Sequence, residues 1–234
     1  MRLGDTPLAV IMRTPGHDED LLRGFALTEG IVLDPGEVAA IRPVPGDPEH
    51  NRWEIVLADG VTVDPEQFRR NLYTSSSCGV CGKASIDALK VAAPPPPPGP
   101  IVDAATLLAL PGRMRSAQST FELTGGQHAA AIFDAAGALL ALREDVGRHN
   151  AVDKVIGRLA GLRWPIGEVV LLVSGRVSFE IVQKAAVAGI PMVGGVSAAS
   201  SLAAELAGEL GLTVVGFLRT ASFNVYAGRE RVAG

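Results

Sequence analysis

The chain has 234 residues, a formal net charge of −4, and is 47% hydrophobic but only 5% aromatic. That length supports one large domain or two smaller ones, with a core built mostly of Ala, Val, Leu and Ile. The mild acidity and the lack of any Lys/Arg run argue against nucleic-acid or anionic-membrane partners; no apolar run reaches the ~18 residues of a transmembrane helix.

In chain order, "PLAVIMR" (7–13) reads as a strand and "HDEDLLRGFALTEGIV" (17–32) as a helix, with Leu21, Leu22, Phe25 and Ala26 on one face and acidic residues at its start. "EVAAIRPV" and "RWEIVLADGVTV" alternate as strands, with a turn at Asp59-Gly60. "DPEQFRRNLY" has Asp64 as its N-cap and Pro65 at its first helical position. The stretch "SSSCGVCGK" (75–83) then holds both cysteines of the chain, Cys78 and Cys81, and "KASIDALKVA" follows as a short helix. "APPPPPGP" (93–100) favours polyproline II and reads as a stiff spacer of roughly 15 Å. The expected division is therefore a smaller N-terminal α+β lobe over 1–93, which bears the cysteine loop, a Pro-rich linker over 94–100, and an α/β domain over 101–234.

The second part has a clear rhythm. A helical stretch covers roughly 103–119, interrupted by Pro111-Gly112. "HAAAIF" and "ALLALR" form a hairpin around "DAAG", and "GRHNAVDKVIGRLAGL" is helical. The strands "GEVVLLVSG", "IPMVGGVS" and "LTVVGFLR" alternate with the helices "VSFEIVQKAAVAG" and "ASSLAAELAGELG". Successive β–α–β units imply parallel strands and a layered sheet. The same order occurs in the cytidine-deaminase-like fold, a three-layer mixed sheet. Zinc deaminases need His-x-Glu and Pro-Cys-x-x-Cys at two helix starts. Here those starts read "GRHNA" and "SGRVSFE", and no cysteine lies beyond Cys81, so no deaminase metal site is expected.

Four readings compete for the thiols. Structural zinc needs more ligands than one CxxC, and His17, His50, His128 and His149 form no zinc-type pair. A dithiol redox centre is chemically possible but lacks the thioredoxin strand–CxxC–helix context. A buried structural pair sits poorly among flanking Ser and Gly. A sulfur relay needs an accessible, acidic thiol on a mobile arm, and a second thiol can help release the sulfur by forming a disulfide. Gly79 and Gly82 suit the mobility, and Lys83 favours the thiolate.

The segments "MRTPGHDEDLLRGFALTEGI", "SSCGVCGKASI", "TGGQHAAAIFD", "REDVGRHNAVDKVIG", "SGRVSFEIVQKAAVAGIP" and "GLTVVGFLRTASFNVY" together resemble the FdhD family of formate dehydrogenase accessory sulfurtransferases. The resemblance implies a deaminase-like fold without the zinc, a cytoplasmic homodimer, and a sulfur carrier. Sulfur would come from a cysteine desulfurase as a persulfide on Cys78, assisted by Cys81. It would pass to the molybdenum (or tungsten) bis-molybdopterin guanine dinucleotide cofactor, destined for the catalytic subunit of formate dehydrogenase. Cofactor contact falls on Phe217, Leu218, Arg219, Thr220, Ala221 and Ser222. By the residues themselves, Arg219 can pair with a phosphate, and Arg148, His149 and Arg176 stand at strand-to-helix turns where anions bind. Two other functions remain open: a non-catalytic cofactor-binding chaperone, and a CxxC redox regulator. Departures from the family are a start almost directly at "GDTPLAVIMR", where members carry an earlier extended segment, the proline string, and no proline near Ala199.

Overall fold

A computed structural model describes residues 1–49, 51–64 and 98–234. The cysteine loop with Cys78 and Cys81, the helix expected from Pro65, the helix expected after the loop, and prolines 94–97 lie outside the described residues.

The larger sheet has six strands in the order β11-β10-β9-β8-β6-β7. These are β6 (His128–Phe133), β7 (Leu139–Asp145), β8 (Val170–Val173), β9 (Met192–Gly195), β10 (Thr213–Gly216) and β11 (Asn224–Ala227). β8, β9 and β10 pair in parallel, while β6 is antiparallel to both β7 and β8. β7 therefore runs with β8, and three crossovers follow: through α4 (Arg148–Ala160), α5 (Phe179–Val187) and α6 (Ser201–Leu210). The expected rhythm is present. β11 adds a strand the pattern did not predict, antiparallel to β10.

Strand alternation sorts the side chains to two faces. Ala130, Ile132, Leu171, Val173, Val193 and Val214 meet the apolar stripes of α4, α5 and α6. Ala129, Ala131, Phe133, Leu172, Met192 and Val215 meet Leu107, Leu110 and Met114 of α2 (Ala104–Ala117). α2 runs unbroken through Pro111, against the expected interruption. Its buried residues lie on both sides of the proline, and their burial outweighs the lost backbone bond.

The N-terminal part is a four-stranded sheet, β2-β1-β4-β3, packed on α1 (Asp18–Thr28). Its strands are β1 (Arg2–Leu3), β2 (Thr6–Pro7), β3 (Val38–Pro43) and β4 (Trp53–Leu57), with the expected turn at Asp59-Gly60. "PLAVIMR" is not the expected strand: beyond Pro7 it is an irregular strap. Its first residues bond the chain's own start, with Leu8 N donating to Met1 O at 3.1 Å and the Met1 ammonium to Ala9 O at 2.7 Å, and further on side chains take over. Asn150 donates to Met12 O at 2.7 Å and Lys154 to Thr14 O at 2.8 Å.

α1 crosses α4 at very close range. A Cβ on Gly24 would lie 1.8 Å from Asp153 O, and one on Gly157 would lie 1.9 Å from Asp20 O. Beside this crossing, α1, α4 and α5 share a buried ionic cluster. Lys184 Nζ donates to Glu29 at 2.7 Å, to Asp153 at 3.0 Å and to Thr28 Oγ1 at 2.9 Å. Those bonds use all three of its donors. Burial pushes Asp153 up to about 6 against the pull of Lys184. Burial also works to lower Lys184, but the carboxylates of Asp153 and Glu29 overcome it and hold the ammonium above its ordinary value. Among the described residues, no helix is long and apolar enough to cross a membrane.

Candidate active site at the strand carboxyl ends

β7, β8, β9 and β10 all end at one edge of the sheet, where the antiparallel β6 begins. The helices α4, α5 and α6 start from the same edge. Ligands of open α/β sheets bind outside this end of the strands. The turns there are sewn to one another: Val196 N donates to Val173 O at 3.1 Å, Phe217 N to Ser197 O at 2.8 Å and Leu218 N to Gly195 O at 3.0 Å. Ser174 adds a rung to the β6–β8 ladder, its Oγ accepting from Ala129 N at 2.9 Å.

Two groups of side chains converge on the mouth. In the first, a Cβ on Gly175 would lie 3.5 Å from His128 Nδ1 and 3.8 Å from Arg148 Cδ, so residues from β6, α4 and the turn after β8 meet at one point. Arg148 Nε is buried with no hydrogen-bond partner, and Arg148 makes no ion pair among the described residues. A buried donor of this kind calls for an acceptor, and a phosphate oxygen fits it. In the second group, His149 Nε2 lies 3.2 Å from Ser178 Oγ and 3.8 Å from Glu180 Oε2. Burial and then the Arg148 guanidinium push His149 down to about 4, so the imidazole is neutral near pH 7.

That shift has a stability consequence. Between the ordinary value of 6.5 and about 4, the unfolded chain binds a proton at His149 that the folded chain refuses, so this contribution is present above 6.5 and is lost as pH falls. At ~1.4 kcal/mol per unit the full shift is worth about 3 kcal/mol. The side chain is 33% exposed, and solvent screening cuts that to roughly 1–2 kcal/mol. His149→Gln is therefore expected to lose less stability than the wild type between pH 7 and pH 4. Urea denaturation at both pH values measures the difference, and equal acid sensitivity contradicts it.

The loop after β10 carries the remaining candidates. Phe217 is 37% exposed and sits in the left-handed region at φ 50°, a strained position for a residue with a Cβ. Arg219 lies over its ring, 5.9 Å from the centroid. Arg219 N donates to Ser222 O at 3.0 Å and closes the turn, with Thr220, Ala221 and Ser222 exposed. Leu218 is fully buried and packs in the core with Val215, so its side chain anchors the loop and does not line the mouth. Arg176 is exposed in the turn after β8, at the same edge. Sequence reasoning did not single out Ser178 and Glu180; their Ser-x-Glu spacing at a helix start was the available signal. Two surface hollows of about 500 and 480 Å³ open elsewhere, around His17 and along the strap, and neither includes a residue of this mouth.

A model of the FdhD/NarQ family matches residues 1–233. Curated proteins named "Sulfur carrier protein FdhD" are 50% identical in Streptomyces coelicolor, covering 100% of this chain and 86% of the relative. In Sulfolobus acidocaldarius the identity is 43%, covering 96% of this chain and 85% of the relative. A crystal structure described as a formate dehydrogenase accessory protein from Desulfotalea psychrophila shares the fold, with a TM-score of 0.77 at 23% identity over 99% of this chain and 86% of that one. A family match along practically the whole chain, joined to near-half identity with full-length relatives, identifies this chain as a member of the FdhD/NarQ family.

Proposed function

We propose that this chain is a sulfur carrier serving formate dehydrogenase. The observation that carries the reading is the near-half identity, over the whole chain, to proteins named as sulfur carriers. In this reading the Cys78 thiolate takes the outer sulfur of a cysteine desulfurase persulfide, and the desulfurase cysteine leaves as thiolate. The Cys81 thiolate then attacks Cys78 Sγ. A Cys78–Cys81 disulfide forms, and the bond to the carried sulfur breaks. The two electrons of the thiol pair reduce that sulfur to sulfide, which passes to the acceptor. A cellular thiol reduces the disulfide for the next cycle. The family resemblance makes Cys78 the carrier, and the chemistry is compatible with it, since the first thiol of such pairs is usually the exposed, acidic one.

The acceptor is the molybdenum or tungsten bis-molybdopterin guanine dinucleotide cofactor, a substrate of the carrier and not its resident group. The mouth suits its pyrophosphates and bases. Arg148 brings an unpaired buried donor, α4 brings a helix N-terminus that no side chain caps, and Phe217 with Arg219 brings an exposed ring beside a guanidinium. The strand order, with β6 antiparallel inside a parallel set, supports the deaminase-like reading of the fold. The working form is a cytoplasmic homodimer that meets the desulfurase and the catalytic subunit in turn.

The test is complementation of a bacterial strain lacking its own carrier. The wild-type chain should restore formate dehydrogenase activity, and Cys78→Ala should restore less than about 1% of it, as when a covalent nucleophile is removed. Full restoration by a Cys78→Ala, Cys81→Ala double variant would overturn the relay and favour a cofactor-binding chaperone.

A further inference from the structure

The strap that crosses the turn between β7 and α4 is unusually well fastened. Asp145, at 0% exposure, accepts from Thr14 N at 3.1 Å, Gly147 N at 2.9 Å, Asn150 Nδ2 at 2.9 Å and Lys154 Nζ at 2.7 Å. Those four bonds fill the approximately four acceptor positions of a carboxylate. Lys154, 1% exposed, also donates to Thr14 O, and Asn150 donates to Met12 O. Val146 N donates to Thr14 Oγ1 at 3.0 Å. The ends of these bonds are about 130 residues apart in sequence.

The fastened turn is the one that presents the mouth's cations. Gly147 is the N-cap of α4, Arg148 and His149 are its first two residues, and Asn150 is the next. The buried charge of Lys154 is spent on Asp145, so the clamp adds no net charge to the mouth. It fixes the place of the helix start instead. Misplacement of binding groups by about 1 Å can cost a hundredfold in function, and a turn bonded to the backbone and the Thr14 hydroxyl of a distant strap is the element that sets such placement here.

We infer that Thr14 and Asn150 are positioning residues of the mouth: Thr14, through its Oγ1 on Val146 N, and Asn150, through Asp145 and Met12 O, hold Arg148 and His149 in the orientation that receives an anionic nucleotide. This inference rests on the acceptor reading for the identity of the ligand, and on the geometry alone for the positioning.

The test uses Thr14→Val, which removes the Oγ1 bonds to Val146 N and Gln127 and keeps the backbone bond to Asp145, and Asn150→Ala, which removes the bonds to Asp145 and Met12 O; both leave the buried Asp145–Lys154 pair intact. Two readouts are followed: the ring titration of His149 by NMR, assigned with His149→Gln, and calorimetric binding of guanosine diphosphate. In the clamped protein burial and the Arg148 guanidinium hold His149 well below the ordinary histidine value, at about 4. Loosening the clamp should move the midpoint up by a unit or more, toward the ordinary histidine value. Guanosine diphosphate should bind about tenfold more weakly to each variant, and Thr14→Val should cause no further loss once Arg148 is replaced by Ala. A purely structural strap would lower the melting temperature and leave both readouts in place, with Thr14→Val and Arg148→Ala fully additive; that result overturns the inference. If the wild type itself fails to bind the nucleotide, the acceptor reading fails, and the His149 titration alone decides whether the clamp positions the mouth.

Discussion

Gly157→Ala is expected to destabilise the protein by about 3 kcal/mol or more, the upper range for overpacked interiors. The sign is the informative part. Alanine replacing glycine inside a helix normally adds up to ~1 kcal/mol of stability. At Gly157 the new methyl would lie 1.9 Å from Asp20 O and 2.6 Å from Gly24 N. Both obstacles are backbone atoms of α1, which no rotamer change can move aside. Relief requires the two helices to separate, and that opens the contact between the N-terminal sheet's core and α4. Gly24, whose own Cβ would meet Asp153 O, makes the crossing reciprocal. Gly208 is the internal control: it lies in α6, is exposed, and a Cβ added there would meet nothing within 4 Å. Gly208→Ala should therefore stabilise where Gly157→Ala destabilises. Urea denaturation of the three proteins measures both, and a Gly157→Ala protein as stable as the wild type would contradict the crossing.

Lys184→Met should cost roughly 3–5 kcal/mol at pH 7, the range for removing one partner of a buried ion pair. The loss leaves Asp153, 2% exposed, with Thr28 as its remaining bond. Glu29 is 32% exposed on its side chain and can turn to water, so it contributes less of the penalty. The pH dependence follows from the raised carboxyl. Asp153 already stands at about 6 with its lysine in place, and loss of that cation raises it further. A carboxyl raised in the folded state is favoured protonated, and stability falls as pH rises through its folded value. The penalty of Lys184→Met should therefore shrink between pH 7 and pH 5. Asp153→Asn combined with Lys184→Met should recover most of the loss, because no uncompensated charge remains buried. A pH-independent penalty, or a double variant no better than the single one, would contradict this account of the cluster.

The elements of the large sheet were legible because their burial is local and periodic. Ala129 to Phe133 and Val170 to Val173 alternate between two apolar faces, and α4, α5 and α6 each carry a matching stripe. "PLAVIMR" reads as a strand by its apolar run, yet Leu8 and Ala9 pair with the Met1 backbone and Met12 O takes a side chain, Asn150, from a helix far along the chain. Pro111 reads as a break in the sequence, yet buried leucines on one side and Met114 on the other carry α2 past it. At the mouth, Arg148, His149 and Arg176 are legible as strand-to-helix turns, whereas the 217–222 loop, which joins β10 to β11, is marked out by the family resemblance. The partners of His149 are not legible, since Ser178 and Glu180 approach it from another helix. The role of Gly24 and Gly157 depends on a crossing that no local pattern encodes.

In the proposed relay sulfur rides on Cys78. The most direct measurement is the intact mass of the chain after incubation with an active cysteine desulfurase and cysteine, for the wild type, Cys78→Ala and Cys81→Ala. The wild type should gain one sulfur atom, reversed by a thiol reductant, retained in Cys81→Ala and absent in Cys78→Ala. No gain in the wild type, with the desulfurase shown to turn over, would contradict it.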